Sequence, residues 1–258
     1  MIVIKFLGGL GNQLFQWAYG QALEARGYEV GYDKSALIPQ THREYSLAEY
    51  ADLRFVTGDD DYVTYEYNLK FNVSNLYPAD GNMMIGYWQT EKYFAEIANK
   101  IRSNFIFNWS IKPLTGVADA INKRIYFSKS VAIHVRRQDY LVLQDFHGMP
   151  GKDYYDRAIQ HIQDRVQYPE FFVFSDDREW CRLNFPADFH IVDGTNKYED
   201  LRLMSSCKHS ILANSSFGWW GSWIGDNQLG RIVIAPKKWF VTPSMDDTDV
   251  MPERWLRL

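Results

Sequence analysis

The sequence has little cysteine, little net charge and no long apolar run, and each shortage excludes a class of protein. Cys181 and Cys207 are the only cysteines among 258 residues, too few for a disulfide framework, so we expect free thiols in a reducing compartment. A formal net charge of −4 argues against a nucleic-acid-binding surface. No segment approaches the roughly 20 apolar residues that cross a bilayer, and residues 1–7 lack a basic leader and a cleavage site. We therefore expect neither membrane insertion nor a signal peptide.

The remaining composition is that of an ordinary folded protein. Hydrophobic residues make up 46% and charged residues 23% of the chain, which suffices for one large or two small cores without metals or disulfides. Aromatic residues, at 16%, suit sugar and base planes as well as core packing. Core packing is the preferred interpretation for Trp219, Trp220 and Trp223, which have partly helical spacing.

Strand-like and helix-like segments alternate along the chain, which predicts an α/β fold with parallel sheets. The predicted strands are residues 1–7, 28–32, 83–86, 130–136, 170–174, 189–192, 209–213 and 231–235. The predicted helices are residues 12–26, 91–104, 152–166, 178–184, 197–206 and 217–225. Residues 33–80 show little regular period. We divide the chain into halves at 1–125 and 126–258 and expect the C-terminal tail to return toward the first half.

A glycine-rich loop follows the first predicted strand. Gly9 and Gly11 fit a G-x-G pattern, but Leu14 stands where the dinucleotide fingerprint has its third glycine. Such a loop brings backbone N–H groups close to a ligand, and the start of the helix favours negative charge. A tight turn without a ligand is the equal alternative, because glycine is the usual residue at strained corners.

The stretch SVAIHVRRQDY, residues 130–140, joins an apolar strand to a cluster of polar side chains. His134, Arg136 and Arg137 stand where the strand ends, and ligands collect outside the carboxyl ends of parallel strands. Guanidinium groups form two-pronged hydrogen bonds with phosphate oxygens, so the pair indicates an anion site. Surface salt bridges with Asp139 and other acids are the alternative, and exposed pairs contribute only about 0–1 kcal/mol.

Polar residues also follow two other predicted strands, at Ser175–Asp177 and Asn214–Ser216. If the strands are parallel neighbours, these groups share one sheet edge with His134 and Arg136. Ser215 and Ser216 precede an apolar helix, where hydroxyls and N–H groups hold a phosphate or simply cap the helix. The Asp176 and Asp177 carboxylates suit a ribose hydroxyl or a purine N–H edge, with helix capping again the alternative.

Four segments in register resemble one family: GGLGNQLFQWA, HVRRQDY, the FSDD at 174–177, and LMSSCKHSILANSSFGWWGSWI. The sequence is similar over most of its length to the α1,2-fucosyltransferases, inverting enzymes that use GDP-fucose. The resemblance implies a GT-B architecture, with two Rossmann-like halves facing across a cleft and the nucleotide held mainly by the second. It also implies no metal or other cofactor, a β-galactoside acceptor and a cytoplasmic enzyme; it does not indicate the oligomeric state.

Individual roles follow from the resemblance. Arg136 is expected to contact the diphosphate with Arg137 in support, while His134 and one of Asp176 or Asp177 address the guanosine. The groups expected to hold phosphate oxygens are Ser215, Ser216 and the amide of Phe217. The groups expected to close on the phosphate and the fucose from the opposite half are Asn12 and the Gly9–Gly11 loop.

Two residues depart from the family pattern, and the base that activates the acceptor stays open. Gln138 replaces a glycine usual between the arginines and the aspartate, and Gly218 replaces a serine usual after SSF. Asp139 is the chosen base, with pairing to an arginine as its equal rival. The other candidate bases are Glu91, Asp145 and His147.

Acceptor contacts are expected from a polar and aromatic cluster after the strand at 83–86, namely Trp88, Gln89 and Glu91, although a helix entry packed by aromatics explains it equally well. The D-x-D pattern at Asp59–Asp61 matches metal-dependent sugar transferases, but a solvated acidic loop is preferred. The alternative functions are an α1,6 or protein O-linked fucosyltransferase and a non-catalytic GDP-sugar-binding protein.

Overall fold

A computed structural model describes residues 1–58, 62–66, 68–142, 148–242 and 244–258, and the chain forms two compact units. Unit 1 contains Met1–Ile111 and Met245–Pro252, and unit 2 contains Lys112–Ser244 and Glu253–Leu258. The sequence placed the division at 125/126. In the structure the helix Gly116–Phe127 belongs to unit 2, because its buried Ile125 packs in that unit's core.

Unit 1 is built on a four-stranded sheet in which all pairings are parallel. The strand order is β2-β1-β4-β3, with β1 at Ile2–Lys5, β2 at Val30–Asp33, β3 at Val63–Tyr65 and β4 at Met83–Ile85. Helix α1, Leu10–Ala25, follows β1 and buries most of its side chains.

Two features of unit 1 differ from the sequence prediction. Strand β3 lies within the stretch that showed no regular period, and it spans only three residues at the sheet edge, too short for alternation to reveal. The single helix predicted at 91–104 is instead two 3-10 helices, Glu91–Tyr93 and Ala95–Ile97, followed by α2 at Ala98–Ile111. A further 3-10 helix spans Val73–Leu76.

Unit 2 contains a six-stranded sheet, also parallel throughout, in the order β10-β9-β8-β5-β6-β7. Its strands are β5 Lys129–Val135, β6 Pro169–Ser175, β7 His190–Ile191, β8 His209–Ile211, β9 Val233–Ala235 and β10 Leu256–Arg257. Its helices are α3 Gly116–Phe127, α4 Gln138–Val142, α5 Lys152–Gln163, α6 Arg178–Asn184, α7 Lys197–Ser206 and α8 Ser216–Ile224.

Alternate residues of β5 enter two different apolar clusters, so unit 2 has a core on each face of its sheet. Val131 and Ile133 pack on one face with α5 and α6, whereas Ala132 packs on the other face with α3 and α7. This two-layered burial explains why β5 is apolar without alternation. The predicted α/β class, with two Rossmann-like halves, is confirmed.

The tryptophans of α8 are part of the core of unit 2, as preferred from the sequence. Trp219, Trp220 and Trp223 are each 0% exposed, and Trp219 stacks on Trp223 at 5.7 Å between ring centroids. Cys181 and Cys207 are free and buried. Within the described part of the chain, no helix combines the length and apolar character needed to span a membrane.

Candidate active site

The three polar segments expected at one sheet edge do lie there. Strand β5 is hydrogen-bonded between β6 and β8, and its carboxyl end is in register with theirs: Val135 pairs with Ser175, and Ile133 pairs with Ile211. Since all three strands run in the same direction, the segments that follow them emerge at the same edge of the sheet. The predicted convergence is therefore confirmed.

Both arginines at this edge pair with the aspartates that follow β6. Arg136 Nη1 lies 3.1 Å from Asp176 Oδ2, and Arg137 Nε lies 3.1 Å from Asp177 Oδ2. The backbone N–H of Arg137 also donates to Asp176 Oδ1 at 3.0 Å. Ion pairing, the alternative considered from the sequence, thus occurs here, and it orients both guanidinium groups.

The two arginines differ in accessibility. The Arg137 side chain is 15% exposed, and its guanidinium carbon lies 4.3 Å from the centre of the Trp180 ring, a cation–π contact that immobilises it. The Arg136 side chain is 28% exposed. Because its side chain is more exposed, Arg136 is the better placed of the two to contact a ligand.

Asp177 has a capping role that the sequence left open. Its Oδ1 accepts the N–H of Trp180 at 3.0 Å, at the start of α6, while its own N–H donates to Ser175 Oγ at 2.9 Å. These contacts and the Arg137 pair engage Asp177 in the local structure. Asp176 is the acid that pairs with Arg136, and it also accepts the backbone N–H of Arg137.

His134 is a buried imidazole at the end of β5. It is 5% exposed, and among the described residues its Nδ1 has no hydrogen-bond partner. Burial, aided by the positive charge of Arg136, lowers the pKa of His134 to about 3. The ring is therefore neutral at physiological pH, so one nitrogen donates and the other accepts.

Gly218 fits against this imidazole because it has no side chain. A Cβ at position 218 would lie 2.6 Å from His134 Nδ1 and 3.0 Å from its Cγ, far inside van der Waals contact. The departure from the serine of the family pattern is thus coupled to the position of the His134 ring. Sequence reasoning noted the residue but missed this contact, because the two residues are distant in the chain.

The start of α8 combines a buried hydroxyl with helical N–H groups. Ser215 is the N-cap residue and is 7% exposed, but its side chain accepts no capping hydrogen bond. Simple capping, the alternative from the sequence, is therefore not its role in this structure. Ser216 and Phe217 form the first turn and are partly buried, and the Phe217 ring lies 5.7 Å from that of His134.

Two side chains that received no individual role from the sequence hold the loop before α8. Tyr140 Oη donates to the backbone oxygen of Asn214 at 2.9 Å. Asn214 Nδ2 donates to the backbone oxygens of Gly148 and Trp239, at 3.1 and 2.9 Å. These bonds fix the backbone that presents Ser215.

In unit 1 the glycine loop and Asn12 lie at the carboxyl end of β1. Gly8 has φ +74°, a backbone conformation that favours glycine, and a Cβ on Gly9 would lie 2.9 Å from the backbone oxygen of His42. Backbone conformation therefore explains the first glycine, and close packing explains the second. Gly11 is buried within α1. Asn12 Oδ1 accepts a hydrogen bond from Gln89 Nε2 at 2.8 Å, which brings together two residues predicted for different roles.

Two buried amides that sequence reasoning missed organise the surrounding loops. Gln13 Nε2 donates to the backbone oxygens of Gly8 and Glu44. Gln16 Oε1 accepts the N–H of Leu7, and its Nε2 donates to the oxygen of Gly86. The sequence signal that could have revealed them is the presence of polar residues on the side of the helix that its apolar residues predict to be buried.

The predicted acceptor residues occupy different environments. Trp88 is 0% exposed and stacks on Tyr19 at 4.5 Å between centroids, so in this conformation its ring presents no face to a ligand. Gln89 is also buried, at 6% exposure. Glu91 is partly exposed and begins a 3-10 helix.

Several candidate bases and the acidic loop lie outside the described residues: the side chain of Asp139, and all of Asp145, His147 and Asp59–Asp61. The backbone of Asp139 belongs to α4. Within the residues that are described, no group of three or more His, Cys, Asp or Glu side chains is arranged to hold a metal ion.

Known proteins resemble this chain over nearly its whole length. Residues 32–258 match the sequence model of glycosyl transferase family 11. An α-1,2-colitosyltransferase of Escherichia coli is 31% identical over 299 aligned positions, covering 100% of this chain and 99% of the relative. The O-antigen biosynthesis glycosyltransferase WbnK of Escherichia coli is 26% identical over 300 positions, covering 97% and 98%. Galactoside α-(1,2)-fucosyltransferase 1 of Ateles belzebuth is 26% identical over 269 positions, covering 95% of this chain and 72% of the relative.

The protein is therefore a glycosyltransferase. It belongs to glycosyl transferase family 11, and its relatives include enzymes named for α1,2 transfer. The family resemblance identified from its four motifs is confirmed.

Proposed function

We propose that this enzyme transfers L-fucose from GDP-fucose to the 2-hydroxyl of a terminal β-galactoside, with inversion and without a metal ion. The observation that carries the proposal is the sheet edge of unit 2. There the neutral His134 and Arg136 lie at the end of β5, and Ser215, whose hydroxyl makes no capping bond, follows the neighbouring parallel strand β8.

The donor chemistry follows from the charges at this edge. Cleavage of the sugar–phosphate bond leaves negative charge on the diphosphate while the sugar approaches an oxocarbenium ion. Oriented donors aimed at that charge are the largest single contribution to catalysis in many enzymes. We assign this role to Arg136, oriented by Asp176, and to the hydroxyls and N–H groups of Ser215, Ser216 and Phe217. These groups supply the positive potential that a metal ion supplies elsewhere.

Base recognition is assigned to the buried end of the same edge. A neutral imidazole is both a donor and an acceptor, and His134 lies at the end of β5 beside Arg136. In line with the family resemblance, we assign the guanosine contact to His134. Asp176 is the acid kept as a second candidate, because Asp177 is engaged in capping α6.

The sugar and acceptor contacts are assigned to unit 1. Gln89 donates to Asn12 Oδ1, so the Asn12 NH₂ group is the part of that amide left to donate to a ligand. We propose that Asn12 contacts the transferred sugar and the departing phosphate. Asp139 stays the proposed base. The buried free thiols suit the reducing cytoplasm, where we propose that the enzyme acts.

A second donor has a specific observation in its favour, namely the 31% identity with an α-1,2-colitosyltransferase over the whole chain. Colitose lacks the 3-hydroxyl of fucose. An enzyme that hydrogen-bonds this hydroxyl rejects the deoxy sugar strongly, because its own buried polar groups are then left unpaired. The preference between the two sugars therefore reports whether such a contact exists.

The decisive experiment offers GDP-fucose and GDP-colitose separately, each with lactose, lacto-N-biose and N-acetyllactosamine. We expect GDP release matched by a new glycoside in mass spectrometry, with an α1,2 linkage by NMR. A faster reaction with GDP-colitose reassigns the donor, and an α1,6 product reassigns the linkage. Tight GDP-fucose binding with no turnover on any acceptor contradicts the proposal and indicates a GDP-sugar-binding protein.

A further inference from the structure

A partly buried glutamate at the sheet edge of unit 1 was not considered from the sequence. Glu66 directly follows β3, and its neighbour β4 leads into residues 86–89. One oxygen of the carboxylate, Oε2, accepts two consecutive backbone N–H groups, from Tyr87 at 2.7 Å and from Trp88 at 2.8 Å. This pair of contacts closes a clamp on the chain just before Gln89.

The clamped segment adopts a conformation that needs such support. Trp88 has φ +55°, a left-handed conformation that costs about 1 kcal/mol or more for a bulky residue. The Trp88 ring is fully buried between Tyr19 and Tyr93. Hydrogen bonds to an ionised carboxylate are roughly twice as strong as neutral ones, so the Glu66 clamp offsets this cost.

Gly86 allows Glu66 to approach. A Cβ on Gly86 would lie 2.5 Å from Glu66 Cβ and 2.8 Å from its Oε2. The backbone oxygen of Gly86 also accepts a hydrogen bond from the buried Gln16 Nε2 at 2.8 Å. The backbone before Trp88 is therefore held from both β3 and α1.

The clamp is connected to Asn12 through one further residue. Gln89 follows Trp88 directly, and its Nε2 donates to Asn12 Oδ1 at 2.8 Å. A shift in the backbone at Trp88 moves Gln89 and releases the Asn12 amide to rotate. The direction of the Asn12 NH₂ group thus depends on Glu66, although Glu66 need not touch a substrate.

We propose that Glu66 is a positioning residue for the transfer reaction, which sets the Asn12 amide by clamping the Tyr87–Trp88 backbone. The inference rests on the proposed function, since it assigns Asn12 a contact with the reacting sugar. It also names a residue outside all four motifs that identified the family.

The charge state of Glu66 supports a measurable consequence. Burial raises the pKa of Glu66 to about 7, although the hydrogen bonds from the N–H groups of Tyr87 and Trp88 act in the opposite direction. The titratable groups that face it are the phenols of Tyr19 on α1 and Tyr93 in the 3-10 helix, and burial raises the pKa of both. The phenols stay neutral, so the carboxyl is the group of this cluster that titrates near neutral pH. Protonation weakens the clamp.

The test compares wild type with Glu66→Gln and Glu66→Ala, measuring kcat and KM from pH 5.5 to 8.5. A single amide oxygen accepts the same two N–H groups without charge, so Glu66→Gln mimics the protonated acid. We expect kcat of Glu66→Gln to fall about 5-fold at pH 8.5 and to match wild type at pH 5.5, since charge assistance is lost only where the carboxylate was ionised. Glu66→Ala should lose about 100-fold in kcat, the scale of a misplaced catalytic group.

Two further measurements separate positioning from general damage. In an Asn12→Ala background, Glu66→Ala should cost little more, because both changes remove the same contact. Hydrogen exchange at peptides containing Tyr87 and Trp88 should accelerate in Glu66→Ala, which reports the clamp without any turnover. Glu96→Ala is the matched control: Glu96 is 72% exposed and pairs with Arg26 at 2.8 Å, and its loss should leave kcat unchanged.

Wild-type turnover tests the proposed function, and the variants test Glu66. The inference is overturned if kcat of Glu66→Gln decreases toward pH 5.5 as steeply as that of wild type, or if hydrogen exchange at Tyr87 and Trp88 is unchanged in Glu66→Ala. It is also overturned if the losses in kcat from Glu66→Ala and Asn12→Ala are fully additive.

Discussion

Removing Arg136 tests the donor site most directly, because the structure separates its effect on catalysis from its effect on folding. The Arg136→Ala change deletes the guanidinium that lies 3.1 Å from Asp176. The Asp176 carboxylate does not become isolated, since its Oδ1 still accepts the N–H of Arg137 at 3.0 Å. The site therefore loses a cation and retains its neighbouring backbone.

The two costs differ in size. Exposed ion pairs contribute about 0–1 kcal/mol, and breaking fully buried pairs costs about 3–5 kcal/mol. Side chains that are 28% and 17% exposed lie between these cases, so we expect a loss of about 1–2 kcal/mol from the free energy of unfolding. A domain with the usual 5–15 kcal/mol of stability stays folded after such a loss. The catalytic loss should be about 100-fold or more, equivalent to about 3 kcal/mol of transition-state stabilisation.

The assay is steady-state transfer from GDP-fucose, with urea unfolding measured on the same samples. Arg136→Lys keeps the charge without the planar fork and should recover part of the rate. The matched control is Arg182→Ala, since Arg182 forms an exposed pair with Asp193 at 3.2 Å in the same unit. A folded Arg136→Ala protein with near-normal kcat/KM would refute the assignment of Arg136 to the diphosphate.

Three further predictions follow from the same structure. Gly218→Ala should push a Cβ into His134 and lower the free energy of unfolding by about 1–3 kcal/mol, as overpacking does. It should also raise KM for the donor, and an unchanged donor KM would contradict the assignment of His134 to nucleotide binding. The pKa of His134 is lowered to about 3 in the folded protein, whereas in the unfolded chain the imidazole takes up a proton below about pH 6.5. The free energy of unfolding should therefore fall by about 2 kcal/mol between pH 6.5 and 5 relative to His134→Leu. If urea unfolding gives the same pH dependence of this free energy for the two proteins, the prediction is wrong. Activity should persist in excess EDTA, whereas loss reversed only by added divalent metal would give the Asp59–Asp61 segment a metal-binding role.

Local patterns were sufficient to predict much of unit 2. The helix Lys197–Ser206 has its predicted bounds because Asn196 and Glu199 form a capping box that is visible in the sequence. The helix Arg178–Asn184 is also as predicted, with Asp177 as its cap. The common sheet edge was predictable because the carboxyl ends of parallel strands lie at the same edge, and polar residues follow the apolar runs there.

Other features depend on contacts between residues that are distant in the chain. Both arginines matched the family motif, but their pairing with Asp176 and Asp177 becomes visible only when β5 and β6 lie side by side. The three-residue strand β3 is defined by its hydrogen bonds to β4, and its own pattern is too short to predict it. Trp88 suited a sugar platform by composition, yet tertiary packing buries it against Tyr19.

The sequence alone determined the α/β class, the family and the set of side chains that follow the central strands, because these depend on periodicity and on motifs short enough to read. The packing of separate elements against one another determines which of these side chains are held in place and which residues outside the motifs support them. The Glu66 clamp on Trp88 and the fit of Gly218 against His134 arise from packing between separate elements, so no local pattern contains them.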